Sequence, residues 1–138
     1  MGRIRGKRSA ISLQLSAKTM KEFRDLHVWQ KAHSLTLEIY ERTAHFPDHE
    51  RFGLTSQLRR SGSSVPANLA EGCGRGTDAD FKRFLYVAME SASETEYHLL
   101  LAHDLGYLAE STHRQLTNNI QEVKRMLTAF IAKLSADS

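Results

Sequence analysis

The sequence predicts an all-α protein, an antiparallel up-down-up-down four-helix bundle. In four segments, apolar residues recur at spacings of four and three, which is the period of a helix with one buried face. The connections between these segments are short and are marked by glycine or proline. We find no strand pattern and no internal repeat. Four amphipathic helices with short connections bury their apolar faces most simply in such a bundle.

The first helix is predicted over residues 26–44. Its apolar stripe consists of Val28, Ala32, Leu35 and Ile39, and it is widened by Trp29, Leu37 and Tyr40. It ends before Pro47, because proline disfavours helix in the residue that precedes it.

The second helix is predicted over residues 51–71, with a kink or break between Ser61 and Pro66. Proline removes a backbone hydrogen bond, and the nearby Gly62 is a poor helix residue. The stripe consists of Leu54, Leu58, Ser61, Val65 and Leu69. We expect the glycines of residues 72–76 to end this helix with a left-handed cap.

The third helix opens with Thr77 as its N-cap and Asp80 three residues later, a variant of the capping box. It runs for about 40 Å and stops at Gly106. Its stripe consists of Phe81, Leu85, Ala88, Ala92, Thr95, Leu99 and Ala102.

The fourth helix begins near Ser111 and completes a bundle domain over residues 23–136. Its stripe consists of Leu116, Ile120, Val123, Leu127, Phe130 and Leu134. Residues 1–22 form a basic N-terminal extension, which we expect to be flexible. Across the chain no apolar run approaches the length of about 20 residues that a membrane span needs. The single cysteine, Cys73, cannot form an internal disulfide, which favours a reducing cytoplasm.

The positive charge of the chain is concentrated at its start. Residues 1–25 carry seven lysines and arginines against two acids, whereas residues 26–138 carry twelve against fourteen. The extension contributes candidate phosphate contacts at Arg3, Arg5, Lys7 and Arg8. A second candidate cluster flanks the connection between helices two and three and consists of Arg59, Arg60, Arg75, Lys82 and Arg83. The nearby acids Glu71, Asp78 and Asp80 leave open whether this cluster binds phosphate or forms ion pairs that close the bundle end.

The sequence gives no catalytic residue, cofactor site or metal site. Glu110 and His113 form one Glu-x-x-His pair, but a di-metal bundle site needs a second copy. Glu94 and His98 lie one turn apart and are more simply a polar helix face. Cys73 has no neighbouring base that would make it a nucleophile.

Aromatic residues exceed what one narrow core can hold. We therefore expect some of Trp29, Tyr40, Tyr86 and Tyr97 at contacts between subunits, where aromatic residues are enriched. Asn68 and Glu71 lie beside the apolar stripe, where polar groups need partners, and we expect them to fix helix or subunit register.

Four segments resemble the four-helix bundle proteins encoded in intervening sequences of bacterial 23S ribosomal RNA genes. They are FRDLHVWQKA at residues 23–32, GLTSQLRRS at 53–61, VPANLAEG at 65–72 and FLYVA at 84–88. The resemblance runs in order from about residue 23 to residue 134. Family members usually start just before the first segment, which makes Met20 an alternative start and leaves residues 1–19 outside the match.

The resemblance implies a cytoplasmic homo-oligomer, a pentameric ring without catalytic activity. Relatives include the accessory protein of diversity-generating retroelements, a basic pentamer that binds a reverse transcriptase and nucleic acid. Our leading hypothesis is a homo-oligomeric scaffold that contacts RNA or an RNA-associated protein. The alternatives are a structural or docking protein with no nucleic-acid role and, third, a metal-dependent enzyme.

Overall fold

A computed structural model describes residues 22–137. It contains four α-helices, α1 (His27–Thr43), α2 (Leu54–Cys73), α3 (Asp78–Asp104) and α4 (Glu110–Asp137). Short 3-10 turns precede α1 at Phe23–Asp25 and α2 at Asp48–Glu50, and residues 22–137 contain no strand. The all-α prediction with four helices is confirmed. The predicted basic extension, apart from Glu22, lies outside the described residues.

Each helix packs against two neighbours around the bundle. Helix α1 contacts α2, α2 contacts α3, α3 contacts α4, and α4 contacts α1. Within the described part of the chain, the backbones of α1 and α3 do not approach each other, and neither do those of α2 and α4. Helices α1 and α3 therefore lie on one diagonal of the bundle, while the alternating direction of the four helices stays a prediction.

Every residue that recurs at the four-three spacing in the four stripes is buried, because the 3.6-residue period places it on the inner face of its helix. The predicted widening of the first stripe is wrong for Leu37 and Tyr40, which are exposed, and Trp29 is half-buried. The predicted N-cap of α3 is also confirmed, since the Thr77 hydroxyl oxygen accepts a hydrogen bond from the Asp80 amide at 3.2 Å.

Of the kink or break predicted before Pro66, a break is excluded, because α2 continues through the buried Pro66, and a kink stays a prediction. The predicted left-handed cap is wrong, because the amides of Gly74 and Arg75 bond back to carbonyl oxygens in right-handed turns, each at 3.1 Å. Among the described glycines only Gly106, just after α3, has a positive φ, of 84°.

The α1–α2 and α3–α4 connections meet at one end of the bundle, which we call the Tyr107 end. The rings of Phe46 and Tyr107 pack with centroids 5.3 Å apart. The Tyr107 hydroxyl donates to one oxygen of Glu50 at 2.9 Å, and the Leu54 amide donates to the other at 3.0 Å. One carboxylate therefore caps the start of α2 and ties the two connections together.

Replacing Glu50 with glutamine should lower the melting temperature at pH 7, with little effect at pH 3. The hydrogen bonds from the Leu54 amide and the Tyr107 hydroxyl hold the pKa of Glu50 below its ordinary value. A lowered folded-state pKa stabilises the fold above the unfolded-state pKa of about 4.3, and this stabilisation is lost as the pH falls through the folded-state value. Thermal melts followed by circular dichroism at both pH values measure the difference. Glu41→Gln, at an exposed position of α1, is the control, and an equal loss at both pH values would contradict the linkage.

Candidate interaction surfaces

Two of the predicted cations converge on one aromatic ring. The guanidinium carbons of Arg75 and Arg83 lie 4.8 Å and 4.7 Å from the centroid of the buried Phe84 ring. Arg75 follows α2 and Arg83 lies in the second turn of α3, so the α2–α3 connection brings them together. We call this end of the bundle the Arg75 end.

Each of these arginines also has an acidic partner. Arg75 bonds to Glu71 at 3.0 Å, and Arg83 lies 3.6 Å from Asp80. All four side chains are largely exposed, and ion pairs of this kind contribute little free energy. Cation–π contact with Phe84 orients the two guanidinium groups without using up their capacity to donate to a further anion.

The described chain begins at Glu22, directly before the 3-10 turn that leads into α1. The 3-10 turn at Phe23–Asp25 packs against α1 and α2. Lys82 extends across to α4, where its Nζ lies 3.4 Å from the Ser135 hydroxyl oxygen. Arg3, Arg5, Lys7 and Arg8 of the predicted extension lie outside the described residues.

The other two arginines of the predicted cluster do not join this end. Arg59 bridges α2 to α1, where its Nε donates to the Thr43 hydroxyl oxygen at 2.8 Å and its guanidinium lies over the Tyr40 ring at 4.6 Å. Arg60 pairs with Glu94 on α3. The predicted convergence therefore holds for three cations of five.

Three of the four singled-out aromatic residues lie on the surface. Tyr40, Tyr86 and Tyr97 are 44%, 55% and 57% exposed. Trp29 is half-buried against the core and stacks on His33 with ring centroids 4.8 Å apart. The surface tyrosines are thus available for contacts with another chain, and Trp29 is mainly a packing residue.

Asn68 and Glu71 bond within or just beyond their own helix. The Asn68 amide nitrogen donates to the Ser64 carbonyl oxygen at 2.8 Å and lies 3.0 Å from the Ser64 hydroxyl oxygen. Glu71 pairs with Arg75. A role for either residue in subunit register stays a prediction.

Sequence reasoning missed a ladder of polar side chains between α2 and α3. Ser61 Oγ lies 3.0 Å from Thr95 Oγ1 and 3.3 Å from Nδ1 of His98, and Ser64 Oγ lies 2.8 Å from Ser91 Oγ. Ser61 and Thr95 are fully buried. The sequence did indicate this ladder, because Ser61 and Thr95 lie within the apolar stripes of two successive helices. Buried hydroxyl groups in such positions need hydrogen-bond partners, and each can provide one for the other.

The ladder has the composition of a serine–histidine–acid triad but not its accessibility. His98 joins Ser61 to Glu94, whose carboxylate oxygen lies 3.8 Å from the second ring nitrogen. The Ser61 hydroxyl is fully buried and cannot reach a substrate, whereas a triad nucleophile must do so. Burial also lowers the pKa of His98, which favours the neutral ring. The ladder is therefore a packing element.

The Glu110–His113 pair lies at the α3–α4 connection. His103 bonds to Glu110 at 2.7 Å and to Asp104 at 3.0 Å, and its ring stacks on that of His113. The hydrogen bonds to Asp104 and Glu110 raise the pKa of His103. Within residues 22–137 no three histidines, cysteines or acids are arranged to hold a metal ion.

Cys73 is buried, and burial raises the pKa of its thiol to about 12. The thiolate that nucleophilic chemistry needs is therefore not formed at neutral pH.

None of the helices in the described region combines the length and the apolar character that crossing a membrane requires.

Comparison with known proteins gives a consistent result. Residues 24–129 match the family model described as "23S rRNA-intervening sequence protein". A crystal structure of a protein with unknown function from the S23 ribosomal protein family of Bacteroides thetaiotaomicron VPI-5482 superimposes with a TM-score of 0.71 and 27% sequence identity, covering 76% of this chain and 95% of that one. A search of curated proteins gives no match. This four-helix chain belongs to the 23S rRNA-intervening sequence protein family.

Proposed function

We propose that the protein is a non-enzymatic, homo-oligomeric scaffold of the cytoplasm, a ring of five subunits as the family resemblance implies. The observation that carries the proposal is the amount of apolar side chain left on the surface. Eight large hydrophobic residues of the described chain are exposed, and they include three tyrosines. Six of them are grouped on two of the four helices, α1 and α3, and apolar residues grouped on one surface typically mark interaction sites.

The second part of the proposal is that the Arg75 end contacts RNA or an RNA-associated protein. Arg75 and Arg83 lie there on the Phe84 ring, and Lys82 precedes Arg83 in the chain. The sequence adds four further cations in the basic extension, at Arg3, Arg5, Lys7 and Arg8. A ring repeats this group in every subunit. Repeated cations on one face of an assembly attract a polyanion, and arginine forks match phosphate oxygens.

Native mass spectrometry of the purified protein tests the assembly. We expect a single species at five times the chain mass at micromolar concentration. A monomer under these conditions would contradict the proposal.

Binding of a fluorescently labelled single-stranded RNA, measured by anisotropy across a salt series, tests the second part. We expect affinity to fall steeply with salt, because neutralising phosphates releases counterions. Arg75→Ala/Arg83→Ala and deletion of residues 1–19 should each weaken binding about tenfold or more and reduce the salt slope. Arg114→Ala/Arg125→Ala, at exposed positions of α4, is the charge-matched control and should change affinity little. Absence of RNA binding by the intact ring would favour the alternative, a docking protein with no nucleic-acid role.

A further inference from the structure

Exposed apolar residues are not spread evenly over the four helices. Leu37 and Tyr40 lie on α1, and the others within helices lie on α3, namely Tyr86, Val87, Tyr97 and Leu100. In the span 22–137, no exposed large hydrophobic residue lies on α2 or α4. The two apolar faces therefore lie on the two helices of one diagonal, on opposite sides of the bundle.

This placement favours one of two kinds of self-contact in an assembly that has a single type of contact. A two-fold contact joins a face to its own copy, so pairing α3 with α3 would leave the α1 face exposed. A head-to-tail contact joins the α1 face of one copy to the α3 face of the next. It covers both faces in every copy and generates a closed ring when the rotation between copies closes.

Contacts of α2 with α1 and with α3 show which residues of α1 and α3 lie at the same position along the bundle axis. The Thr36 hydroxyl donates to the Gly62 carbonyl oxygen of α2 at 3.1 Å. The adjacent residue of α2, Ser61, lies 3.0 Å from Thr95 of α3. Thr36 and Thr95 are therefore at nearly the same height along the bundle. In the predicted alternating arrangement α1 and α3 run in the same direction, so Tyr40 and Tyr97 both lie within about one turn above them, because each residue of a helix rises about 1.5 Å.

One polar residue of α1 and one of α3 also lie at similar heights, each about two turns below the tyrosine of its own helix. On α1, His33 continues the exposed row of Leu37 and Tyr40 at spacings of four and three. On α3, Glu90 continues the row of Tyr97 and Ser93 in the same way. Glu90 is exposed and makes no ion pair with the described residues, while His33 presents a ring nitrogen that can donate. Cyclic symmetry about an axis parallel to the bundle preserves these heights, so His33 of one copy faces Glu90 of the next.

We infer that the outer face of α1 packs head-to-tail against the outer face of α3 of a second copy, with Tyr40 of one copy against Tyr97 of the next. The inference deepens the proposed function, on which it rests, by assigning the two faces of the subunit contact and their register. Aromatic residues at the centre of such a contact are the ones that typically dominate binding.

Disulfide cross-linking tests the assigned faces. The double variant Tyr40→Cys/Tyr97→Cys is oxidised and run on a denaturing gel without reductant. We expect a ladder of covalent oligomers that ends at the ring size, and no cross-link in either single variant. Cys73 is buried and is left in place. Tyr40→Cys/Asn118→Cys is the matched control, because Asn118 is exposed on α4, and it should give no ladder.

Native mass spectrometry of each variant separates failure of this inference from failure of the proposed function. Dimers in Tyr97→Cys alone would show a two-fold α3 contact and overturn the inference while self-assembly stands. An assembled double variant with no cross-link would overturn it in the same way. A double variant that dissociates while the wild type and Asn118→Cys alone stay assembled would support it. A monomeric wild type would overturn both.

Discussion

Replacing Gly72 with alanine should lower the free energy of unfolding by about 1–3 kcal/mol, the usual cost of overpacking a core. In most helix interiors this substitution stabilises by roughly 1 kcal/mol, because alanine is the better helix former. At Gly72 a Cβ atom would lie 2.8 Å from Cδ1 of the fully buried Phe81 and 3.0 Å from Cβ of Phe84. Phe81 packs edge-on against Phe130 with centroids 5.2 Å apart, so its ring has no free space into which to move.

Urea unfolding followed by circular dichroism measures this change. Gly76→Ala is the control, because a Cβ at Gly76 would meet nothing within 4 Å, and it should be close to neutral. The double variant Gly72→Ala/Phe81→Leu should lose less stability than the sum of the single variants, since the smaller side chain makes room for the methyl group. An increase in stability for Gly72→Ala would show that helix propensity outweighs the contact with Phe81.

The helix positions and the buried stripes were predictable because both follow from local periodicity. The predicted left-handed cap at residues 72–76 was wrong for a reason that lies outside the helix. Position 72 requires a glycine because the side chains of Phe81 and Phe84 on α3 approach its backbone. That approach depends on tertiary packing. A glycine at the end of a helix has two possible uses, and the sequence alone does not separate them.

Spacing along α2 limits which arginines of the predicted cluster can lie at the Arg75 end. Arg59 lies 16 residues before Arg75, which at about 1.5 Å per residue places it some 24 Å from that end of α2. Helical geometry therefore excluded Arg59 and Arg60 from the Arg75 end, and this was available from the sequence. The stacking of Arg75 and Arg83 on Phe84 was not, because it depends on the angle at which the α2–α3 connection joins the helices.

The polar ladder between α2 and α3 was missed because it depends on the register between two helices. Its residues were visible individually, as Ser61 in one stripe and Thr95 in another. Only the packed structure places the two hydroxyl oxygens 3.0 Å apart and adds His98. Ala88 and Ala92 are fully buried in the same α3 stripe.

Replacing Thr95 with valine should destabilise the protein by about 1–3 kcal/mol, the cost of leaving a buried polar partner unsatisfied. Thr95 Oγ1 lies 2.8 Å from the Ser91 carbonyl oxygen in its own helix and 3.0 Å from Ser61 Oγ in α2, and both threonine and serine are fully buried. Valine keeps the shape but removes the hydroxyl, so Ser61 retains only its longer contacts with His98 and Leu58, at 3.3 Å and 3.4 Å.

Thr128→Val is the matched control for this substitution. Thr128 also bonds to the carbonyl oxygen four residues earlier, at 3.0 Å, but it is exposed, so water replaces the lost bond and the stability should change by less than about 0.5 kcal/mol. Chemical unfolding of both variants under the same conditions measures the difference. Ser61→Ala/Thr95→Val removes both hydroxyls, and it should recover part of the loss because no orphaned serine remains. Equal effects of Thr95→Val and Thr128→Val would show that the cross-helix bond contributes nothing, and the α2–α3 register would then depend on apolar packing alone.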